Sequence, residues 1–308
     1  MKKIAAVDIG SNSFHLIIAQ ILQNGKLEII FRDREVLRLS ENFTDKTKFI
    51  SDTLIDKAVI VLKRFKSIAE QHNAQIITAA TSSVRESSNQ NEFTSKIFDK
   101  TGIKINVING NEESRLIYSG IINALELRNK KCICIDIGGG STEFIYGKNN
   151  NIIYSESLKL GAVRLTQRFF QDFVLNDKSI LDCENWIDEN LQKVKNKIIN
   201  EEIDYYVGTS GTILSVGSML LSEKNVNIDN LNNLKFSRDD LYKIRNKILA
   251  AKTFKEREKI IGLDPKRADV FPAGIILLSK IFERLKIKEM IISEYAMREG
   301  IIFDSLKK

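Results

Sequence analysis

The sequence predicts an α/β protein built from two similar halves, each a mixed sheet with helices packed against it. Two observations carry that prediction. Strand-like and helix-like segments alternate along the chain, and a short motif recurs 128 residues after its first appearance with matching flanks.

The first half reads element by element. Residues 3–9, 14–21 and 26–32 are apolar and β-compatible, and Asn24-Gly25-Lys26 supplies a hairpin turn between the last two. From Ser51 to Gln71 the apolar residues Leu54, Ile55, Ala58, Val59, Leu62, Phe65 and Ile68 recur at helical spacing. A buried strand, QIITAAT, follows, then a helix after Glu86, a strand at KINVING and a helix from Glu112 to Leu127. The expected division is residues 1–125 and residues 126–308, with the last helix packing back on the first domain.

The repeat pairs Asp8-Ile9-Gly10-Ser11-Asn12-Ser13 with Asp136-Ile137-Gly138-Gly139-Gly140-Ser141, identical at four of six positions. An apolar strand precedes each copy (IAAV, CICI) and another follows (FHLIIAQI, EFIYG). One supersecondary unit therefore opens each half.

Composition narrows the function classes. Hydrophobic residues make up 43% and charged residues 28%, as in soluble globular enzymes. No apolar run approaches the roughly 18 residues of a membrane span, and Asp8, Asn12 and His15 interrupt the apolar N-terminus, so a signal peptide is not expected. The expected location is cytoplasmic, with no membrane or nucleic-acid partner. Three cysteines cannot frame a disulfide scaffold in a chain of 308 residues, and Cys132 and Cys134 alternate along one strand as packing residues. With only His15 and His72, a histidine-rich zinc site is excluded, so a catalytic metal would take oxygen ligands, as magnesium or manganese do. The net charge of +7 favours an anionic partner.

The repeated turns supply the matching chemistry. A strand ending in Asp-Ile-Gly and turning through small hydroxyl residues exposes successive amides as an anion-binding concavity. Gly10, Ser11, Asn12 and Ser13 form the first turn; Gly138, Gly139, Gly140, Ser141 and Thr142 form the second. Asp8 and Asp136 offer hard oxygen ligands for a hydrated metal. Two such turns facing each other across a cleft would grip a phosphate chain from both sides. A third glycine-hydroxyl segment, Gly208-Thr209-Ser210-Gly211-Thr212, leads into a helix start and its dipole. Glu143 occupies in the second copy the place of His15 in the first, where a carboxylate implies a metal ligand or a water-orienting base. Arg85 and Arg298 could clamp phosphate, although for either one, read from the residues alone, a surface ion pair is the default. Glu112 and Glu113 open a helix, where acidic residues also complement the dipole.

Taken together, DIGSNSFHLII, TSSVRES, GNEESRLIYSGI, DIGGGSTEFIYG, GTSGTI, RADVFPAGIILL and REGI resemble, in order and spacing, the exopolyphosphatase and guanosine pentaphosphate phosphohydrolase (Ppx/GppA) family from about Lys3 to Ile302. The resemblance implies two actin-like, ribonuclease-H-like domains around a central cleft, of the acetate and sugar kinase, Hsp70 and actin superfamily. It implies magnesium-dependent removal of a terminal phosphate, with Glu113 as catalytic base and Asp136 and Glu143 assisting metal and water. It also implies phosphate binding by the two turns and Arg85, and a homodimer. Two departures stand out. The C-terminal helical extension of longer members is not expected, which puts long-chain processivity in doubt. Tyr295 replaces a glycine of the family's S-D-G-A-L-R-E-G stretch.

Inorganic polyphosphate is the expected substrate, with guanosine pentaphosphate as the alternative. A guanosine tetraphosphate sensor with weak hydrolysis is the competing non-enzymatic reading. A kinase lacks a candidate acceptor base here.

Overall fold

The computed structural model describes residues 2–305 except 45–46, 126, 128, 199–200, 225 and 227–229. The chain separates into two compact units, Met1–Gly120 with Met297–Lys308, and Ile121–Ala296. The division thus falls at Gly120/Ile121 where the sequence suggested 125/126, and residue 126 lies outside the described residues.

The first unit opens with a meander of β1 (Lys3–Ile9), β2 (Ser13–Ile21) and β3 (Leu27–Val36), followed by α1 (Asp52–Gln71) and β4 (Ala74–Ala80). The sheet order is β3-β2-β1-β4, with β4 parallel to β1. Ile4, Ala5, Ala6, Val7 and Ile9 are all buried, the continuous apolar run of a strand covered on both faces. The Ser51 hydroxyl caps α1 by accepting from Leu54 N at 3.4 Å, and the apolar stripe from Leu54 to Phe65 is buried as its spacing requires.

Three local expectations change. A single helical turn, α2 (Ser82–Arg85), precedes the expected helix, which is α3 (Gln90–Thr101). KINVING does not form a strand; only an isolated bridge joins Ala80 and Val107. The cause is Thr78, whose Oγ1 donates to Lys104 O at 2.8 Å and accepts from Asn106 N at 3.0 Å, displacing the regular ladder. The next helix, α4 (Gly110–Ala124), starts two residues before Glu112 because the Asn109 side chain caps Glu112 N at 2.9 Å.

The second unit repeats the plan with β5 (Lys131–Ile137), β6 (Thr142–Lys148), β7 (Asn151–Leu158), α5 (Ala162–Phe169), α6 (Asp177–Ile198), β8 (Tyr205–Thr209) and α7 (Ser210–Glu223). It continues through β9 (Lys235–Ser237), α8 (Arg238–Ala250), α9 (Phe254–Arg257), α10 (Phe271–Arg284) and β10 (Glu289–Ile292). Its order, β7-β6-β5-β8-β10-β9, reproduces the first sheet's third-second-first-fourth sequence and adds two strands. The duplicated hexapeptide therefore marks a duplicated topology. The large core of this unit centres on α10, whose Ile275, Ile276, Leu277 and Leu278 are fully buried.

The last helix, α11 (Met297–Ser305), packs on β1 and β2 within the first unit. Arg115 of α4 ties to it, with Nη1 2.6 Å from Asp304. Among the described residues, no helix is long and apolar enough to cross a membrane.

Candidate active site

Each unit carries the same turn, closed by the same bond. Gly10 N donates to Ser13 O at 3.2 Å, and Gly138 N donates to Ser141 O at 3.0 Å. A Cβ on Gly10 or Gly138 would stand 3.1 or 3.2 Å from that same carbonyl, closer than side chains comfortably approach. Hence glycine at both strand ends. Asp8 pairs with His15 across β1 and β2, and Asp136 pairs with Glu143 across β5 and β6.

In the first turn Ser11 and Ser13 are buried, and Ser11 Oγ lies 2.9 Å from Ser82 Oγ of α2. The Asn12 carbonyl accepts from Leu37 N and Arg38 N, which fixes the chain leaving β3 against the turn. Arg85 does not form a surface pair. Its Nη1 donates to Ile108 O at 2.7 Å and to Glu113 Oε2 at 2.9 Å, and Glu113 is only 6% exposed. The neighbouring acid behaves differently: Glu112 is half exposed and held bidentately by Arg115 at 2.9 and 2.8 Å. Of the two acids, Glu113 alone is buried with a guanidinium on its carboxylate, the arrangement suited to a fixed base. Arg298, the other candidate clamp, instead meets His15 Nδ1 at 3.1 Å.

In the second turn α5 braces the backbone. Ala162 N donates to Gly138 O, Val163 N and Arg164 N to Gly139 O, and Arg164 Nε to Gly140 O at 2.7 Å. All four bonds use carbonyl oxygens, the polarity a turn needs if its amides are to serve an anion. Ser141 is buried, and Thr142 spends its hydroxyl on Leu160 O at 2.6 Å, so Thr142 anchors the turn through structure. Gly161 is packed so closely that a Cβ would meet Gly139 O at 2.4 Å.

The third segment is a direct strand-to-helix junction. β8 ends at Thr209 and α7 begins at Ser210, which takes a left-handed φ of 68°. Gly208 lies inside β8, where a Cβ would strike Met290 Sδ at 2.4 Å, and Thr212 is buried against Gly274 of α10. Gly208 and Thr212 are thus packed positions, and Ser210 and Gly211 form the half-buried corner. Sequence reasoning did not single out Arg267, whose guanidinium covers Gly211: a Cβ there would fall 1.7 Å from Nη2. The signal was its position in RADVFPAG. Tyr295 stands at the same junction through its carbonyl, which accepts from Ser293 Oγ at 2.8 Å and Thr209 Oγ1 at 3.4 Å.

Asp136 and Glu143 suit a hard divalent cation. They are 6% and 1% exposed and directly opposite in antiparallel register, where two carboxylates repel unless a cation is shared. Ser157 Oγ donates to Glu143 Oε1 at 2.8 Å and orients it. Among the described residues no group of three or more His, Cys, Asp or Glu forms a cage. Magnesium needs none, since it binds through one or two carboxylates, waters and substrate phosphates. Cys132 and Cys134 are buried free thiols, and the bond from Cys132 together with burial pushes the Cys134 thiol up, away from the thiolate a metal would need. Asp8, opposite His15, lacks a carboxylate partner in register.

Two α/β units, each opened by an Asp-Ile-Gly turn on a three-stranded meander, define the actin-like two-domain class of phosphate-handling proteins. Within that class the chain belongs to the Ppx/GppA phosphatase family, whose pattern it matches over residues 17–308. It is 31% identical to a Haemophilus influenzae protein named as an exopolyphosphatase, covering 100% of this chain and 92% of that one. It is also 31% identical to a guanosine-5'-triphosphate,3'-diphosphate pyrophosphatase of Pseudoalteromonas atlantica, over 98% of this chain and 58% of that protein. A Fusobacterium nucleatum bifunctional 3-dehydroquinate synthase/phosphatase is 31% identical over 98% of this chain, which spans 46% of it. The chain thus spans little more than half, or less, of several relatives it matches. Among solved structures, an exopolyphosphatase from Cytophaga hutchinsonii superposes with a TM-score of 0.92 at 27% identity, covering 99% and 98% of the two chains. The Aquifex aeolicus family member superposes at 0.82, also with 27% identity and 99% and 98% coverage.

Proposed function

We propose that this chain is a magnesium-dependent phosphoanhydride hydrolase that removes the terminal phosphate of inorganic polyphosphate. The observation that carries the reading is the buried Glu113 carboxylate held by Arg85 at 2.9 Å. Family membership and the two glycine turns support it.

Glu113 would orient a water and take its proton as the water oxygen bonds to the terminal phosphorus. The anhydride bond breaks in line, and the leaving chain keeps the electron pair of the bridging oxygen. Amides of Ser11 and Asn12 in the first turn and of Gly139 and Gly140 in the second would hold phosphate oxygens, with the Ser11, Ser13 and Ser141 hydroxyls as further donors, while the Gly10 and Gly138 amides close the two turns. Asp136 and Glu143 would hold the magnesium, which supplies charge neutralisation on the phosphate oxygens when bound. Arg85, already committed to Glu113, serves as the base's anchor, with phosphate contact as a second role.

Guanosine pentaphosphate is the alternative substrate, since relatives carrying both kinds of name match equally well in identity. A cytoplasmic homodimer belongs to the same reading. The test is phosphate release with magnesium from short polyphosphate, long polyphosphate and guanosine pentaphosphate, compared side by side. Release from neither class, with guanosine tetraphosphate still bound, would replace the enzyme with a sensor.

A further inference from the structure

A serine, a histidine and an arginine form a chain beside the first turn. Ser13 and His15 are two residues apart on one face of β2, and Ser13 Oγ lies 2.8 Å from His15 Nε2. The other ring nitrogen, Nδ1, lies 3.1 Å from Nη1 of Arg298 on α11. A guanidinium carries five donors and no acceptor. His15 Nδ1 therefore presents its lone pair to Arg298, and the ring proton sits on Nε2. Nε2–H then donates to Ser13 Oγ. The serine oxygen receives a hydrogen bond, and its own proton is left for an acceptor other than His15. Ser13 also closes the turn through its carbonyl, which accepts from Gly10 N at 3.2 Å, so this hydroxyl belongs to the turn itself.

The second turn shows why this matters. There Ser141 stands where Ser13 stands, but the residue at the place of His15 is Glu143, an acceptor. The first copy thus sets a donor beside its turn serine where the second sets an acceptor. The charged groups that face the imidazole are Asp8 of β1 and Arg34 of β3, its partners in register, together with Arg298.

We propose that His15 is a positioning residue whose tautomer, set by Arg298, makes Ser13 a hydrogen-bond donor to a phosphate oxygen of the substrate. The proposal rests on the reading of the first turn as a phosphate site. It is tested with Ser13→Ala, Arg298→Leu and the double variant, reading KM and kcat for inorganic polyphosphate. The protonated ring nitrogen of His15 is read separately by ¹⁵N NMR on the intact protein, with His72→Gln for assignment. Losing a donor to a charged oxygen should raise KM about tenfold in either single variant with kcat little changed. The double variant should be no worse than the singles, and Arg298→Lys, which keeps a donor without an acceptor, should recover most of the loss. The ring proton should sit on Nε2. Additive losses, or a proton on Nδ1 in the unaltered protein, would overturn the relay while leaving the phosphate turn standing. An unchanged KM in Ser13→Ala would overturn the phosphate reading of the turn, and the relay with it.

Discussion

Arg85 Nη1 bonds the buried Glu113 carboxylate at 2.9 Å and the Ile108 carbonyl at 2.7 Å. One guanidinium thereby ties the turn after β4 to the first turn of α4 and fixes the candidate base between them.

Glu113→Gln should lower kcat by at least about 10²-fold, because a positioned general base contributes that much. Its Tm should barely move, since the amide oxygen still accepts from Arg85. Arg85→Ala leaves a buried carboxylate without its cation and should cost about 3 kcal/mol in urea unfolding as well as activity. Full activity in Glu113→Gln would remove that residue from the mechanism.

The Ser157 hydroxyl orients Glu143 at 2.8 Å. Ser157→Ala should raise the magnesium concentration for half-maximal rate by about tenfold, the usual scale for loss of a group that orients a metal ligand. Chelation should abolish phosphate release, and added magnesium should restore it. An unchanged magnesium titration in Ser157→Ala would count against Glu143 as a ligand.

Gly300 in α11 packs so closely on α4 that a Cβ would stand 1.9 Å from Leu116 O. Backbone cannot yield as a side-chain tip can. Gly300→Ala should therefore lower stability by about 2–3 kcal/mol through overpacking, measured by denaturant unfolding with the m-value unchanged.

Asp188 of α6 accepts from Arg284 Nε at 2.7 Å and pairs with Lys280 at 2.9 Å. Burial pushes its carboxyl up, but the bonds from Arg284 and Lys280 outweigh burial and hold it below the ordinary value. A carboxylate depressed in the folded chain stabilises above the unfolded pKa of about 3.9 and loses that contribution as pH falls through the folded value. Asp188→Asn should lower Tm at pH 7, and the gap to the unaltered protein should close below about pH 4. A gap independent of pH would mean that the lost contact is packing alone.

Much of this was legible in the chain. The strand pattern of β1 and β2, the period of α1 and the doubled Asp-Ile-Gly turn are local properties, set by backbone sterics and apolar spacing over a few residues. They determined that the chain has two α/β halves with the same opening, each turn carrying an aspartate, glycine and small hydroxyl residues. Other features depend on what lies nearby in space. Thr78 turned an apolar strand candidate into irregular chain by capturing the amide and carbonyl of 104–106. Gly208 and Thr212 look like members of an anion loop in sequence, yet the neighbours that fill their space are Met290 and Gly274. Which of Glu112 and Glu113 is buried, and which arginine reaches it, cannot follow from spacing. Both acids start the same helix, and only the docking of α2 selects one. The link from Arg298 to His15 spans 283 positions. Hydrogen bonds act over about 3 Å in space whatever the separation along the chain, so only the folded arrangement could decide them.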